Sequence, residues 1–203
     1  MTLDHINKFL LHDSWPILFI LGRLVFPIFG FVFAYNLARP DSLSKGRYQR
    51  ASLKLLSFGL LATIPYTLLG GLVHGWWPLN VLFILLAATL CIWFVEKNNV
   101  VNYCFAFLTF AIGGVLSEFW WLGIAFIFGL WLFFRWNAIA GLLLALVSLV
   151  GFYDINNSQW ALLFVPFISI YKWIPFTAMR SKSLFYIYYP AHLAVILLVT
   201  KFI

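Results

Sequence analysis

The sequence predicts an all-α fold: a polytopic integral membrane helical bundle of about eight transmembrane helices, preceded by an N-terminal amphipathic segment. Three observations carry that prediction. Hydrophobic residues make up 64% of the 203-residue chain, charged residues 9%, and the mean hydropathy is +0.98, whereas a soluble domain is about half apolar and about a quarter charged. Runs such as ILFILGRLVFPIFGFVFAYNLA and LFYIYYPAHLAVILLVTKFI reach the ~20 residues that cross a ~30 Å hydrocarbon core. These runs lack the alternation of barrel strands, so the internal backbone pairing that lipid demands falls to helices. With no sequence repeat, no low-complexity segment and no long linker, residues 1–203 read as one membrane domain. No cleavable signal pattern opens the chain, so its N-terminus is expected to be retained, and no nucleic-acid partner is expected.

The elements follow in order. In MTLDHINKFLLHDSWP, Leu3, Ile6 and Leu10 repeat at helical spacing while Asp4, Lys8 and His12 repeat every four residues, which describes an amphipathic helix lying on the outer membrane surface. Ser14 is expected to cap the next helix, with Pro16 in its first turn. His5 and His12 stand seven apart, a spacing that does not favour a shared metal, and none is expected. Charges, Pro, Gly and Asn then divide the chain into spans near 16–38, 54–73, 80–95, 100–116, 119–134, 137–152, 160–176 and 183–202. The shorter middle spans, at about 16 residues, cover only ~24 Å.

Placing the 39–54 loop in the cytoplasm and alternating thereafter puts Arg39, Lys45, Arg47, Arg50, Lys54, Lys97, Arg135, Lys172, Arg180 and Lys182 inside. Only Lys8 and Lys201 fall outside, as the positive-inside rule requires. The opening stretch, His74, Glu118 and Asp154 then face outward, with Trp76, Trp77, Trp120, Trp121 and Trp160 as an outer aromatic belt. Cys91 and Cys104 lie in or beside apolar runs without ligand spacing and read as buried free thiols.

Charges inside the hydrocarbon cost ~2.5–3.5 kcal/mol on insertion scales, so they are the first place to look for function. Arg23 lies about eight residues into the first long span, roughly 12 Å from its outer end, too deep for simple snorkelling. Pro27 cannot pair with the Arg23 carbonyl, so a bend with free backbone oxygen is expected beside the cation. His192 lies in the last span, where Pro190 frees the Tyr186 carbonyl and Tyr186, Tyr188 and Tyr189 supply hydroxyls; a structural hydrogen bond is an equal reading of this histidine. Asn80, Pro65 and Tyr66 read more as packing or kinking marks than as chemistry.

Three ordered blocks, LDHIN, GRLVFPIFGFVFAYNLAR and FYIYYPAHLAV, with IPYTLLGG and LNVLF between them, resemble the TraX family, whose namesake acetylates the N-terminus of conjugative F-type pilin. The family looks related to the transmembrane acyltransferases. The resemblance covers the chain from end to end, although residues from about 97 to 175 contribute only hydrophobicity. It implies that Asp4-His5 matches the family's Asp-His, Arg23 its Gly-Arg, and His192 its His-Leu. It also implies acetyl transfer in the bacterial inner membrane from acetyl-CoA, as co-substrate with no bound cofactor, to the N-terminal amine of pilin or another envelope acceptor. His5 would be the base, Asp4 would orient it or stabilise its cation, and Arg23 would stabilise an oxyanion.

The same implication gives Lys45, Arg47, Arg50 and Lys54 a role on the phosphates of CoA, although these residues are also what cytoplasmic topology alone requires. Asn80, Tyr186 and Tyr189 are carried as supporting polar groups. O-acyl transfer to a glycan or lipid hydroxyl, and a non-catalytic transporter or pilus-assembly factor, are the competing readings.

Overall fold

The computed structural model describes residues 1–71, 77–171 and 184–202. Within them the chain forms α1 (Thr2–Leu10), α2 (Pro16–Leu37), α3 (Arg47–Leu68), α4 (Val81–Glu96), α5 (Val100–Leu116), α6 (Trp120–Trp136) and α7 (Ile139–Asn156). A 3₁₀ turn (Trp160–Leu163) then leads into α8 (Phe164–Tyr171), and α9 (Leu184–Phe202) ends the described chain. Among the described residues there is no strand, only an isolated backbone bridge between Leu79 and Ser117. The helices α2, α3, α7 and α9 are long and apolar enough to cross a membrane, and α4, α5 and α6 are shorter apolar helices. His74, Trp76, Lys172, Arg180 and Lys182, together with the end of the span expected near 160–176, lie outside the described residues.

Local chemistry sets the helix ends. Pro16 opens α2, where its missing N–H leaves no bond unmade. The capping residue is Trp15 and not Ser14, because the Trp15 amide donates to the Asn7 side chain (3.0 Å) and thereby fixes the turn from α1. The α3 helix starts at Arg47, well before the expected residue 54. Gly46 supplies the left-handed backbone (φ 60°) that launches it. The apolar pattern understated its length because its first turns carry the charged residues Arg47, Arg50 and Lys54. Asn80 and Asn99 cap α4 and α5 by accepting from the amides of Leu82 (3.1 Å) and Asn102 (2.9 Å).

Successive helices from α3 to α7 pack as neighbours, α2 lies against α6, and α9 lies against α3. The α6–α7 contact is close enough to need glycines: a Cβ on Gly129 would stand 2.6 Å from the Gly141 carbonyl oxygen, and one on Gly141 would stand 2.5 Å from that of Gly129. Trp131, Phe126, Phe152 and Tyr48 are fully buried at the centre, whereas the large apolar side chains of α5, such as Phe107 and Ile112, face outward. Cys91 is buried, but Cys104 is exposed, because it lies on the outward face of α5. At one end of the bundle Glu96 joins Tyr48 to Arg135 (2.6 Å). That end carries Arg39, Lys45, Arg47 and Lys97, while the opposite end carries the α5–α6 and α7–α8 connections.

The expectation for α1 is corrected here. It does not lie on a surface; it packs between α2 and α9, with Asn7 only 1% exposed. Gly22 makes room for it, since a Cβ there would stand 2.5 Å from the Asp4 Cβ. The amphipathic pattern was real, but Asp4 and His5 meet polar partners on α2 and α9 while Lys8 and His12 stay exposed.

Candidate functional site

The docking of α1 delivers Asp4 and His5 to a cavity of about 240 Å³, walled also by Arg23 of α2, Tyr66 of α3, Glu118, Asn156 at the end of α7, and Tyr189 of α9. Arg23 is the hub. Its Nη2 donates to both Asp4 oxygens (2.7 and 2.9 Å), its Nη1 donates to Asn156 Oδ1 (2.8 Å), and its plane lies 4.5 Å from the centre of the Phe19 ring. Only Nε–H is buried without a partner among the described residues. The cation takes these side-chain acceptors and not the backbone oxygen expected to be free beside it, and α2 runs helical through Pro27.

His5 and His192 form the second couple, Nδ1 to Nε2 at 3.0 Å with their rings stacked. The hydrogens on this couple follow from its far end. His192 Nδ1 stands 2.9 Å from the Tyr188 carbonyl, which can only accept, so Nδ1 carries the hydrogen. In a neutral ring His192 Nε2 is then the acceptor and His5 Nδ1 the donor, which leaves the lone pair on His5 Nε2. Burial, with the neighbouring His192 ring next in effect, holds the His5 pKa down to about 3 from its ordinary 6.5. The expectation that Asp4 orients His5 is thus corrected: adjacent helix positions point apart, so Asp4 turns to Arg23 and His5 to His192. Thr2 and Tyr188, hydroxyl to hydroxyl, tie the start of α1 to α9 beside this couple.

Three further residues of the cavity were not singled out in the sequence as site residues. Glu118, in the α5–α6 connection, accepts a hydrogen bond from Tyr66 (2.5 Å), and burial pushes its pKa up. Tyr66 had read as packing. Asn156 completes the cradle of Arg23. An acidic residue or an asparagine in a connection between spans ordinarily reads as solvated, and only the fold turns these two inward.

The other expected site residues are placed elsewhere. Lys45, Arg47, Arg50 and Lys54 lie at the opposite end, and none of them lines the cavity. Lys45 pairs with Asp41 (3.3 Å), Lys54 lies over the Tyr186 ring (5.3 Å), and Arg47 keeps one buried Nη1 without a partner among the described residues. Asn80 is a joint, capping α4 while donating to the Gly59 carbonyl (3.0 Å) and to Thr63 (3.2 Å). Tyr186 packs on Phe58 and Phe185, and Tyr189 lines the cavity. His12 is exposed in the α1–α2 connection.

Comparison with known proteins bears on this arrangement. A family model described as TraX protein matches residues 1–200. A protein from Escherichia coli named Protein TraX is 33% identical over 118 residues, which are 58% of this chain and 44% of that protein. The match therefore spans less than half the length of that relative. No solved structure matches the chain.

Proposed function

The chain belongs to the TraX family, and from that premise we propose that it is a multi-pass inner-membrane acyltransferase moving an acetyl group from acetyl-CoA to the N-terminal amine of a pilin subunit. The observation that carries the proposal is that Asp4, His5 and Arg23 stand together on the wall of one cavity, Asp4 paired with Arg23 and His5 backed from behind by His192. The four residues come from three helices, and each polar contact among them sets up a chemical task.

In this reading the acceptor amine attacks the thioester carbonyl, so a C–N bond forms as the C=O becomes an oxyanion. Arg23 faces that charge with a guanidinium already anchored on two sides, by Asp4 and by Asn156, and with N–H groups still unpaired. The adduct then loses a proton from nitrogen to His5 Nε2, the C–S bond breaks, and that proton goes to the departing thiolate. His192 is a positioning residue: its bond to His5 Nδ1 keeps the lone pair on Nε2. The donor is cytoplasmic and anionic, which agrees with the basic end lying inside, and Lys45, Arg47, Arg50 and Lys54 are proposed to hold its phosphates there.

The test is transfer of labelled acetyl from acetyl-CoA to a free-amine pilin peptide by the purified chain. His5→Ala and Arg23→Ala are expected to abolish transfer while the protein still accumulates in the membrane; wild-type rates in both would refute the assignment. Arg47→Ala combined with Arg50→Ala is expected to raise the KM for acetyl-CoA, and an unchanged KM would leave that end with a topological role alone. A second reading, O-acyl transfer to a glycan, is favoured by one observation. Trp77, Trp120 and Trp121 form a run of edge-packed rings at the cavity end of the bundle, a surface on which a sugar could stack. Label appearing on a glycan hydroxyl, with none on the peptide, would select it.

A further inference from the structure

We infer that Glu118 is the acceptor subsite of the cavity: it takes hold of a cationic primary amine there and so selects an amino group over a hydroxyl. The inference deepens the acyl-transfer reading and rests on it for the reaction that follows binding.

Glu118 is held in place by its neighbours. The Leu79 amide donates to the Leu116 carbonyl (2.8 Å), and Leu79 bridges to Ser117. One carboxyl oxygen accepts from Tyr66, and the side chain lines the cavity. Among the described residues Glu118 makes no salt bridge, although cations are near. Arg23 on α2 is committed to Asp4 of α1 and to Asn156. Lys8 of α1 also lines the cavity but is exposed, with its ammonium over the Phe9 ring (5.4 Å), and burial lowers the pKa of the Met1 α-ammonium on the same wall to about 6. Tyr66 of α3 and Tyr189 of α9 bring no positive charge. A carboxylate taken from water without a counter-charge is costly, a cost lifted either by protonation, toward which burial pushes Glu118, or by a cation brought by a ligand. An amine supplies one as its ammonium; a hydroxyl does not.

The reaction needs the same residue. An α-ammonium has a pKa near 7.7–8.0 and must lose a proton before its lone pair exists, and the adduct must then lose a second. His5, held down to about 3, is too weak a base for the first step and suited to the second, because the nitrogen of the adduct is far more acidic. Glu118, whose proton affinity burial raises, takes the first proton: one N–H bond breaks, one O–H bond forms, and the neutral amine is released for attack. That proton later leaves to water at the mouth of the cavity, while the proton on His5 goes to the thiolate. A hydroxyl acceptor would need only one of these bases.

The test is binding without donor, by isothermal titration of the purified full chain in detergent. The probes are the tripeptide amide Ala-Ala-Ala-NH2, its N-acetyl form, and the analogue with a hydroxyl in place of the α-amine. The free amine is expected to bind about tenfold or more tighter than either neutral probe. That preference should fall to about one in Glu118→Gln, which keeps the shape and loses the charge, and should survive in part in Glu118→Asp. Equal affinity of the wild type for all three probes, or a preference unchanged in Glu118→Gln, overturns the inference. Should Glu118→Gln fail to fold, the wild-type comparison of amine with hydroxyl decides alone. A chain that prefers the amine yet transfers no acetyl from acetyl-CoA would sink the acyl-transfer reading and leave the subsite standing.

Discussion

At the scale of single residues, the Asp4–Arg23 pair is the contact on which the site turns. Each side chain is about one-fifth exposed, 22% and 21%, so the 3–5 kcal/mol typical of breaking a buried pair must be discounted for screening. Arg23→Gln is expected to lower stability by about 1–3 kcal/mol. A double-mutant cycle with Asp4→Asn should show coupling of the same order in denaturant titrations, and strict additivity would mean that the pair is not formed. His5 gives a dependence on pH. Its pKa is lower in the folded state, about 3, than the unfolded 6.5, so the unfolded chain binds the proton first. The stability linked to His5 is therefore present above pH 6.5 and is lost as pH falls from there toward 3. His5→Gln should flatten that limb of a plot of thermal midpoint against pH; an identical slope in wild type and variant would show that His5 is not buried neutral. Arg23 was legible in the sequence because a cation in hydrocarbon is costly to leave unpaired, and His192 was picked out by its place in the last span, although a structural hydrogen bond was an equal reading of it. Glu118 and Asn156 were not legible, because a connection between spans is a normal place for both.

At the scale of elements, glycine decides which helices touch. Gly22 lets α1 lie against α2, so Gly22→Ala is expected to move Asp4 away from Arg23 and to abolish transfer as fully as Arg23→Ala does. Retained transfer in the purified variant would show that α1 need not be seated for the chemistry. Gly141→Ala meets the Gly129 carbonyl and should destabilise the α6–α7 pair by about 1–3 kcal/mol, read as a lower thermal midpoint. The apolar runs made the helices legible, and Asn80, Asn99 and Pro16 mark their starts. The start of α3 and the burial of α1 were hidden for one reason: hydrophobic patterning assumes that a polar face meets water, and here Arg50 and Lys54 extend a helix while Asp4 and His5 face protein.

For the whole molecule, the division of charge between the two ends predicts orientation. In a chain with Cys91 and Cys104 replaced by serine, a cysteine at Asn157 should react with a membrane-impermeant maleimide from the periplasmic side, and one at Ser44 only after the inner membrane is opened. The reverse pattern would invert the topology and, with it, the proposed sides of donor and acceptor. The paired imidazoles carry a final consequence for a membrane that stores energy as a proton gradient. A relay spanning the bundle would short-circuit that gradient at every turnover of the proposed reaction. This one ends at the Tyr188 carbonyl, an oxygen that holds a hydrogen bond but cannot carry a proton onward, so a proton entering at His5 has one way out, back into the cavity. Under the proposed acyl transfer, protons would be taken up and returned on the cavity side, and this couple would offer them no path across the bilayer.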